Sequence, residues 1–329
     1  IYLFLLLVFP RLWLLALPML TVIMNFAPWT GRFVYNEYDW LFLLTLTSGL
    51  LYNRFRLKVF APSPAMAVLL CYLLVSALGY SGWTYFLSPP QSSWENTYYT
   101  DEYAYKVAKG MIWGISLVTM WGYLLSVDKQ RAVNALVIGM CVAALCLGIL
   151  VLWERGTLGV LLSWSAWYHV VASLLDLSSS YRVTAWFSDM HTGGEAYDGV
   201  LLLLLPVTMY GTVYGKQTWI RVLGALAFMA LTYATLVGFT RTTSAAFALA
   251  VACFGFITLW LRHRSGLTLP LPLGLVLGAM ILFAVAAVLA FRLAGSYGLA
   301  SFASLIMLAN ASVFVILAGP AKYVPPLIA

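Results

Sequence analysis

The polar segment from Tyr181 to Gly199 contains the side chains of this sequence that are best suited to chemistry. Its sequence, YRVTAWFSDMHTGGEAYDG, holds one arginine, two aspartates, one glutamate and one histidine between long apolar runs. His191 and Glu195 are four residues apart, so either a helix or a turn at the intervening Gly-Gly pair could bring their side chains together. An imidazole beside a carboxylate can act as a general base with an orienting partner. The alternative is a solvated loop without a catalytic role.

Arginine provides the second chemical signal. Arg182 lies in the same segment, Arg155 ends an earlier apolar run, and Arg241 lies in the sequence GFTRTTS between two apolar runs. A guanidinium group is planar and always charged, and it can bind phosphate oxygens through two parallel hydrogen bonds. These positions suit a lipid-linked phosphate. Each arginine could instead anchor its helix at the membrane interface or pair with an acid such as Glu154.

Other polar residues near these positions are secondary site candidates: Glu154, His169, Asp189, Asp198 and Arg292. Asp198 could instead cap the helix that follows it. No HExxH or paired-histidine spacing is present to fix a metal, so no metal site is predicted. The sequence also lacks a Walker A motif, a GxGxxG motif and a GxSxG motif. An ATP-driven pump, a dinucleotide enzyme and an elbow-type serine hydrolase are therefore disfavoured, and no cofactor is expected.

The composition indicates the elements that must position these residues. Of the 329 residues, 63% are hydrophobic and 9% are charged, and the mean hydropathy is +0.92. Soluble domains carry about 25% charged residues, so we predict an all-α, polytopic helical membrane protein. We expect one transmembrane domain over residues 1–329 with about 10 to 11 transmembrane helices. Residues 1–9 look like the end of one span, and the others lie near 12–28, 39–53, 63–87, 104–126, 133–153, 197–214, 221–238, 244–261, 268–290 and 298–319.

The distribution of charge predicts the orientation of these spans. If they alternate, one set of loops holds eleven basic residues and one acid: Arg11, Arg54, Arg56, Lys58, Lys129, Arg131, Lys216, Arg221, Arg262, Arg264, Lys322 and Asp128. The opposite set holds seven basic residues and ten acids, and it includes every candidate site residue named above. The positive-inside rule makes the first set cytoplasmic and the second set outward-facing. The net charge of +7 therefore requires no nucleic-acid partner, and membrane lipid is the expected surrounding.

A long outward loop is predicted over residues 154–196, and it contains an apolar segment at about 158–175. Four polar residues of this region are spaced four, four and three apart and share one helix face: Ser165, His169, Ser173 and Asp176. This pattern favours an amphipathic helix lying in the membrane interface. A spanning helix here would invert all later loops and violate the positive-inside rule.

Three stretches resemble the O-antigen polymerase and O-antigen ligase superfamily, and in particular its exopolysaccharide-type polymerases. They are VLWERG at Val151–Gly156, YRVTAWFSDMHTGGEAYDGVLLLLLP at Tyr181–Pro206, and GFTRTTSAAFALA at Gly238–Ala250. The resemblance covers roughly a fifth of the chain. It implies a multi-pass protein of the bacterial inner membrane that acts on polyprenyl-linked sugars.

The resemblance also implies an activity and roles for the site residues. The activity would be a metal-independent, inverting glycosyl transfer on the periplasmic face, with a glycan on undecaprenyl diphosphate as the donor. Arg182 and Arg241, grouped with Arg155, would bind the diphosphate, and His191 or Glu195 would deprotonate the acceptor hydroxyl. Other polysaccharide-assembly proteins would be potential partners.

The sequence departs from this family late in the chain. Family members usually carry a large late periplasmic loop with further arginines and a histidine, whereas here the corresponding turn is FRLAGSYG at Phe291–Gly298. Arg292 could be a remnant of the entry to that loop. The chain also begins at Ile1 within an apolar run, so we expect its true N-terminus to be missing. Three explanations stay open: the loop is absent, the sequence is incomplete, or the scaffold is kept without transfer activity.

Two functions of other classes also stay open. A transporter of a small anion or a sugar conjugate would place ionisable residues near the midplane on broken helices, whereas here they lie at the outer ends of the predicted spans. A non-catalytic subunit of a membrane assembly would fit the short late turn.

Overall fold

The structure is a computed structural model that describes residues 1–23, 37–52, 68, 71–72, 75, 101–163, 170, 173–174, 182–187, 194–264 and 293. Within these ranges the chain is mainly helical and contains no β-strand. We number the helices α1 (Tyr2–Val8), α2 (Trp13–Ile23), α3 (Glu37–Tyr52), α4 (Asp101–Ser163), α5 (Gly194–Tyr214), α6 (Thr218–Val237) and α7 (Arg241–Arg264).

Three of these helices contain segments that are long and apolar enough to cross a membrane: Ile112–Thr157 in α4, Ala196–Tyr214 in α5 and Thr218–Val237 in α6. Shorter apolar segments occur at Trp13–Ile23, Tyr38–Leu51 and Thr242–Thr258. The prediction of an all-α membrane protein is confirmed. The predicted spans at 268–290 and 298–319, and nearly all of the span at 63–87, lie outside the described residues.

The surface of α6 agrees with a lipid environment. Val222, Leu226 and Met229 are 53%, 55% and 40% exposed. They recur every three to four residues and so lie on one face of the helix, while Ala227 and Leu231 on another face are fully buried. An apolar stripe that faces outward would be unfavourable in water, but it suits hydrocarbon.

Asp128 divides α4 into two helical segments. Its backbone angles, φ −156° and ψ 86°, are not helical. Its Oδ1 accepts a hydrogen bond from the Arg131 amide at 3.1 Å, which is the geometry of an N-cap side chain bonding the third residue of the following segment. Its Oδ2 also pairs with the side chains of Arg131 (3.2 Å) and Arg11 (3.7 Å). The break therefore lies in the charged stretch that separates the predicted spans at 104–126 and 133–153.

Residues 158–163 continue α4 beyond the apolar span without a break. Residues 164–169, which include His169, lie outside the described part of the chain. The interfacial helix predicted at about 158–175 therefore stays a prediction.

The chain divides into two compact units, one formed by Ile1–Leu17 with Pro28–Ala135 and the other by Pro18–Ala27 with Leu136–Ala329. In the first unit, Lys109 of α4 forms a 2.6 Å ion pair with the buried Asp39 of α3. The indole of Trp113 donates a 2.7 Å hydrogen bond to the other carboxylate oxygen of Asp39 and stacks on Phe42. These contacts hold α3 against α4.

In the second unit, α5 packs closely against α6. A Cβ atom at Gly224 of α6 would lie only 2.6 Å from the backbone nitrogen of Thr212 in α5. The helices therefore approach each other at a position where only glycine fits. This contact lies near the short connection between the two helices. At the other end of the pair, where the candidate site lies, the Tyr197 hydroxyl of α5 donates to the Ala234 carbonyl of α6 at 2.7 Å.

Candidate functional site

The site is built around Glu154, near the C-terminal end of the apolar span of α4. Its two carboxylate oxygens accept hydrogen bonds from consecutive backbone amides: the Thr184 amide donates at 3.4 Å and the Ala185 amide at 2.6 Å. An anionic acceptor makes such hydrogen bonds stronger than those to a neutral group. Glu154 thus anchors the loop of residues 182–187, which belongs to the polar segment singled out in the sequence.

This loop is also held by contacts with α6 and by its own turn. The Val183 amide donates to the carbonyl of Val237 at 3.4 Å, and the Val183 side chain is fully buried. The Phe187 amide donates to the Thr184 carbonyl at 3.1 Å, which closes a turn. Within that turn Ala185 has φ 51°, the left-handed conformation that costs a residue with a Cβ roughly 1–2 kcal/mol. Surrounding contacts must offset this cost.

Arg182 and Asp198 form an ion pair at the start of the loop. The Nη2 of Arg182 donates to Asp198 Oδ2 at 2.8 Å, and the side chains are 42% and 15% exposed. The Oδ1 of Asp198 is buried and has no hydrogen-bond partner among the described residues. Because α5 already begins at Gly194, Asp198 lies inside the helix and does not take the capping position considered above. The partner of Arg182 is therefore Asp198, whereas Glu154 binds the loop backbone.

Arg155 is buried, with only 3% of its surface exposed. Its guanidinium carbon lies 5.9 Å from the ring centroid of Phe239, a cation–π distance. Its guanidinium also interacts with the side chain of Tyr233 of α6. Phe239, in the turn between α6 and α7, has φ 50°. For so bulky a residue this left-handed conformation is a clear outlier, and such outliers persist where neighbouring contacts hold them.

Two tyrosines, the fully buried Tyr197 and the half-buried Tyr233, belong to the site but were not predicted from the sequence. The hydroxyl of Tyr197, a fully buried residue of α5, donates to the carbonyl of Ala234 in α6 at 2.7 Å. The hydroxyl of Tyr233 donates to the carbonyl of Leu174 at 2.9 Å. Both tyrosines lie within or at the ends of predicted spans, where tyrosine is expected at the membrane interface. Only the need of a buried phenol for a partner could have drawn attention to them.

The structure brings together four of the predicted site residues with described side chains: Glu154, Arg155, Arg182 and Asp198. Arg241 begins α7, two residues after Phe239, and Glu195 lies in the first turn of α5. Their side chains, together with His169, Asp189, His191 and Arg292, lie outside the described part of the structure. The roles predicted for these six residues stay predictions.

The described residues of this cluster have side chains suited to binding an anion beside a buried polar network. They lie at the end of one candidate span, the beginning of the next and the turn that follows the third. Among the described residues there is no group of three or more histidine, cysteine, aspartate or glutamate side chains that could hold a metal ion.

The fold and the site thus define an all-α membrane protein with a charged cluster at the ends of its spans. Comparisons with protein-family models, with curated proteins and with solved structures each found no match. The resemblance to the O-antigen polymerase and ligase superfamily therefore stays a prediction.

Proposed function

We propose that this protein is a polysaccharide polymerase or ligase-like glycosyltransferase of the bacterial inner membrane. It would move a glycan from undecaprenyl diphosphate to a sugar hydroxyl on the periplasmic side. The observation that carries the proposal is the exposed Arg182, which is held by Asp198 in a loop fixed at the end of a candidate span. That position suits the diphosphate of a lipid whose chain lies in the membrane.

Arg182 retains donors for such a ligand. A guanidinium has five N–H donors, and the 2.8 Å contact with Asp198 uses one of its nitrogens. Since 42% of the Arg182 side chain is exposed, a diphosphate oxygen can approach the guanidinium from the side away from Asp198. The ion pair with Asp198 then fixes the orientation of the Arg182 guanidinium.

The beginning of α7 contributes a second anion-binding element to the proposal. α7 has 24 residues and starts with Arg241, so its first backbone amides and its dipole favour a negative charge. Arg155 lies nearby against Phe239 in the preceding turn, and it adds a buried positive charge to the field. Positive charge at these places would stabilise the diphosphate as it leaves.

The chemical step in this proposal is a single displacement. The acceptor hydroxyl oxygen forms a bond to the anomeric carbon while the bond from that carbon to the diphosphate oxygen breaks. His191 or Glu195 takes the hydroxyl proton, and the arginines bind the released polyprenyl diphosphate. Inversion at the anomeric carbon follows from attack opposite the leaving group.

The decisive experiment compares Arg182→Ala and Arg241→Ala with Arg131→Ala as the matched control. Arg131 is 75% exposed and lies on the predicted cytoplasmic side. Polymer formation in cells should be lost in the first two variants and kept in the control, at equal membrane expression. Polymer at the wild-type level from either site variant would contradict the phosphate-binding role.

The two other functional classes give different outcomes in the same system. Uptake or exchange of an anion or sugar conjugate in proteoliposomes, without a glycan product, would identify a transporter. Isolation in a stoichiometric complex, with no activity of the protein alone, would identify a non-catalytic subunit.

A further inference from the structure

We infer that the adjacent residues Glu154 and Arg155 are positioning residues that set the geometry of two arginine-bearing segments from one point on α4. Glu154 holds the loop that carries Arg182, and Arg155 holds the turn that leads into Arg241. The ligand class, a polyprenyl diphosphate, rests on the function proposed above. The positioning itself rests only on contacts among described residues.

The first of these contacts explains the conformation of Ala185. Both oxygens of the Glu154 carboxylate face consecutive amides, and the shorter hydrogen bond, 2.6 Å, is the one from Ala185. Ala185 has φ 51°, a conformation usually given to glycine. A carboxylate that captures this amide offsets the unfavourable backbone angle. Glu154 therefore selects the loop conformation in which Arg182, three residues earlier, reaches Asp198.

The second contact, between Arg155 and Phe239, holds the turn that precedes Arg241 in a similar way. Phe239 has φ 50°, and its ring lies 5.9 Å from the guanidinium carbon of the buried Arg155. The carbonyl of Arg155 accepts a 3.0 Å hydrogen bond from the Ser173 hydroxyl, and its guanidinium interacts with the Tyr233 side chain. Arg155 is thereby fixed, and it holds the Phe239 ring two residues before Arg241 begins α7.

The helix makes this double role possible. Successive residues of an α-helix point about 100° apart, so Glu154 and Arg155 reach different segments. The two segments are also joined by the hydrogen bond from the Val183 amide to the Val237 carbonyl. In the described structure, Ala185 and Phe239 are the only residues other than glycine with positive φ, and each contacts one of the two adjacent residues. The distance between the loop that carries Arg182 and the turn before Arg241 therefore depends on Glu154 and Arg155.

Hydrogen–deuterium exchange of the full chain in detergent tests the positioning without any ligand. In Glu154→Gln the side-chain oxygen can still accept a hydrogen bond from one backbone N–H. The side-chain NH2 group then faces the second N–H and cannot accept from it. We expect the amides of Thr184 and Ala185 to exchange roughly tenfold to a hundredfold faster than in the wild type, as for loss of one hydrogen bond to a charged group. Arg155→Met keeps the apolar bulk and removes the charge, and it should raise exchange in residues 238–240. Unchanged exchange in both variants would overturn the inference.

A second-site change separates positioning from general stability. Glycine adopts the left-handed φ of Ala185 without strain, so Ala185→Gly added to Glu154→Gln should restore much of the slow exchange across residues 182–187. The control adds a glycine elsewhere: Ala245→Gly, at an exposed position of α7, is combined with Glu154→Gln in the same way. Equal rescue by the control would show that Glu154 acts only on overall stability, and this would also overturn the inference.

Ligand binding gives the third measurement. The probe is farnesyl diphosphate, and its dissociation constant is measured for the purified full chain of the wild type, Glu154→Gln, the double variant with Ala185→Gly, and Arg131→Ala. We expect about tenfold weaker binding in Glu154→Gln, partial recovery in the double variant and no change in Arg131→Ala. Wild-type protein that fails to bind the probe would refute the proposed ligand class, while the exchange data would still decide the positioning. A wild-type affinity in Glu154→Gln would refute the positioning role even if the proposed function holds.

Discussion

The close approach of α5 and α6 at Gly224 yields the sharpest stability prediction. Ala at this position would place its Cβ 2.6 Å from the backbone nitrogen of Thr212 and 2.9 Å from the carbonyl carbon of Gly211. Both neighbours are backbone atoms, so no side-chain rotation can relieve the contact. Ordinary van der Waals contact begins near 3.4 Å. The helices must therefore separate by almost 1 Å, or the backbone must distort.

The expected free-energy change is a difference between two effects. Overpacking a close contact costs about 1–3 kcal/mol. Replacing glycine by alanine within a helix contributes roughly 0.5–1 kcal/mol of stabilisation in the opposite direction. We therefore expect Gly224→Ala to lower the free energy of unfolding by up to about 2.5 kcal/mol.

The matched control is Gly255→Ala in α7, where an added Cβ meets no atom within 4 Å. This variant should be as stable as the wild type or more stable, by up to about 1 kcal/mol. Reversible unfolding in mixed micelles with increasing dodecyl sulfate measures both variants. If Gly224→Ala proved as stable as Gly255→Ala, the close contact between α5 and α6 at this position would be wrong.

Two further predictions concern buried polar contacts. Tyr197→Phe removes the 2.7 Å hydrogen bond to the Ala234 carbonyl, which still accepts from the Gly238 amide at 3.0 Å. We expect a loss of about 1 kcal/mol in the same unfolding assay, and no loss at all would show that the hydroxyl bond contributes nothing. Lys109→Met removes the cation beside Asp39, whose side chain is 3% exposed, and should destabilise the first unit by about 3–5 kcal/mol. The double variant Lys109→Met with Asp39→Leu should recover part of that loss, because the Trp113 indole then lacks its acceptor. Failure to recover any of it would argue against a coupled pair.

The sequence predicted the positions of several spans well because apolar runs of sufficient length have one stable solution in a membrane. The candidate spans Ala196–Tyr214 and Thr218–Val237 lie close to the predicted runs at 197–214 and 221–238. The break at Asp128 also falls between two predicted spans, where the charged residues made it visible. These features depend on local composition, which a sequence displays directly.

The partners of the site residues were less predictable. The sequence identified Glu154, Arg155, Arg182 and Asp198 as chemically important because charge near a membrane is costly. It could not distinguish between Glu154 and Asp198 as the partner of Arg182, since both acids are close enough along the outward loops. The choice depends on where the 182–187 loop turns, and that turn is fixed by the amides that bind Glu154.

Composition and charge pattern by themselves thus determined that this is an all-α membrane protein and which stretches carry its concentrated charge. Tertiary structure alone decided that Glu154 binds backbone, that Arg155 is buried against Phe239, and that Tyr197 and Tyr233 join the site. The physical reason is that left-handed angles at Ala185 and Phe239 are unfavourable in isolation. They exist only because residues distant in sequence meet and hold them.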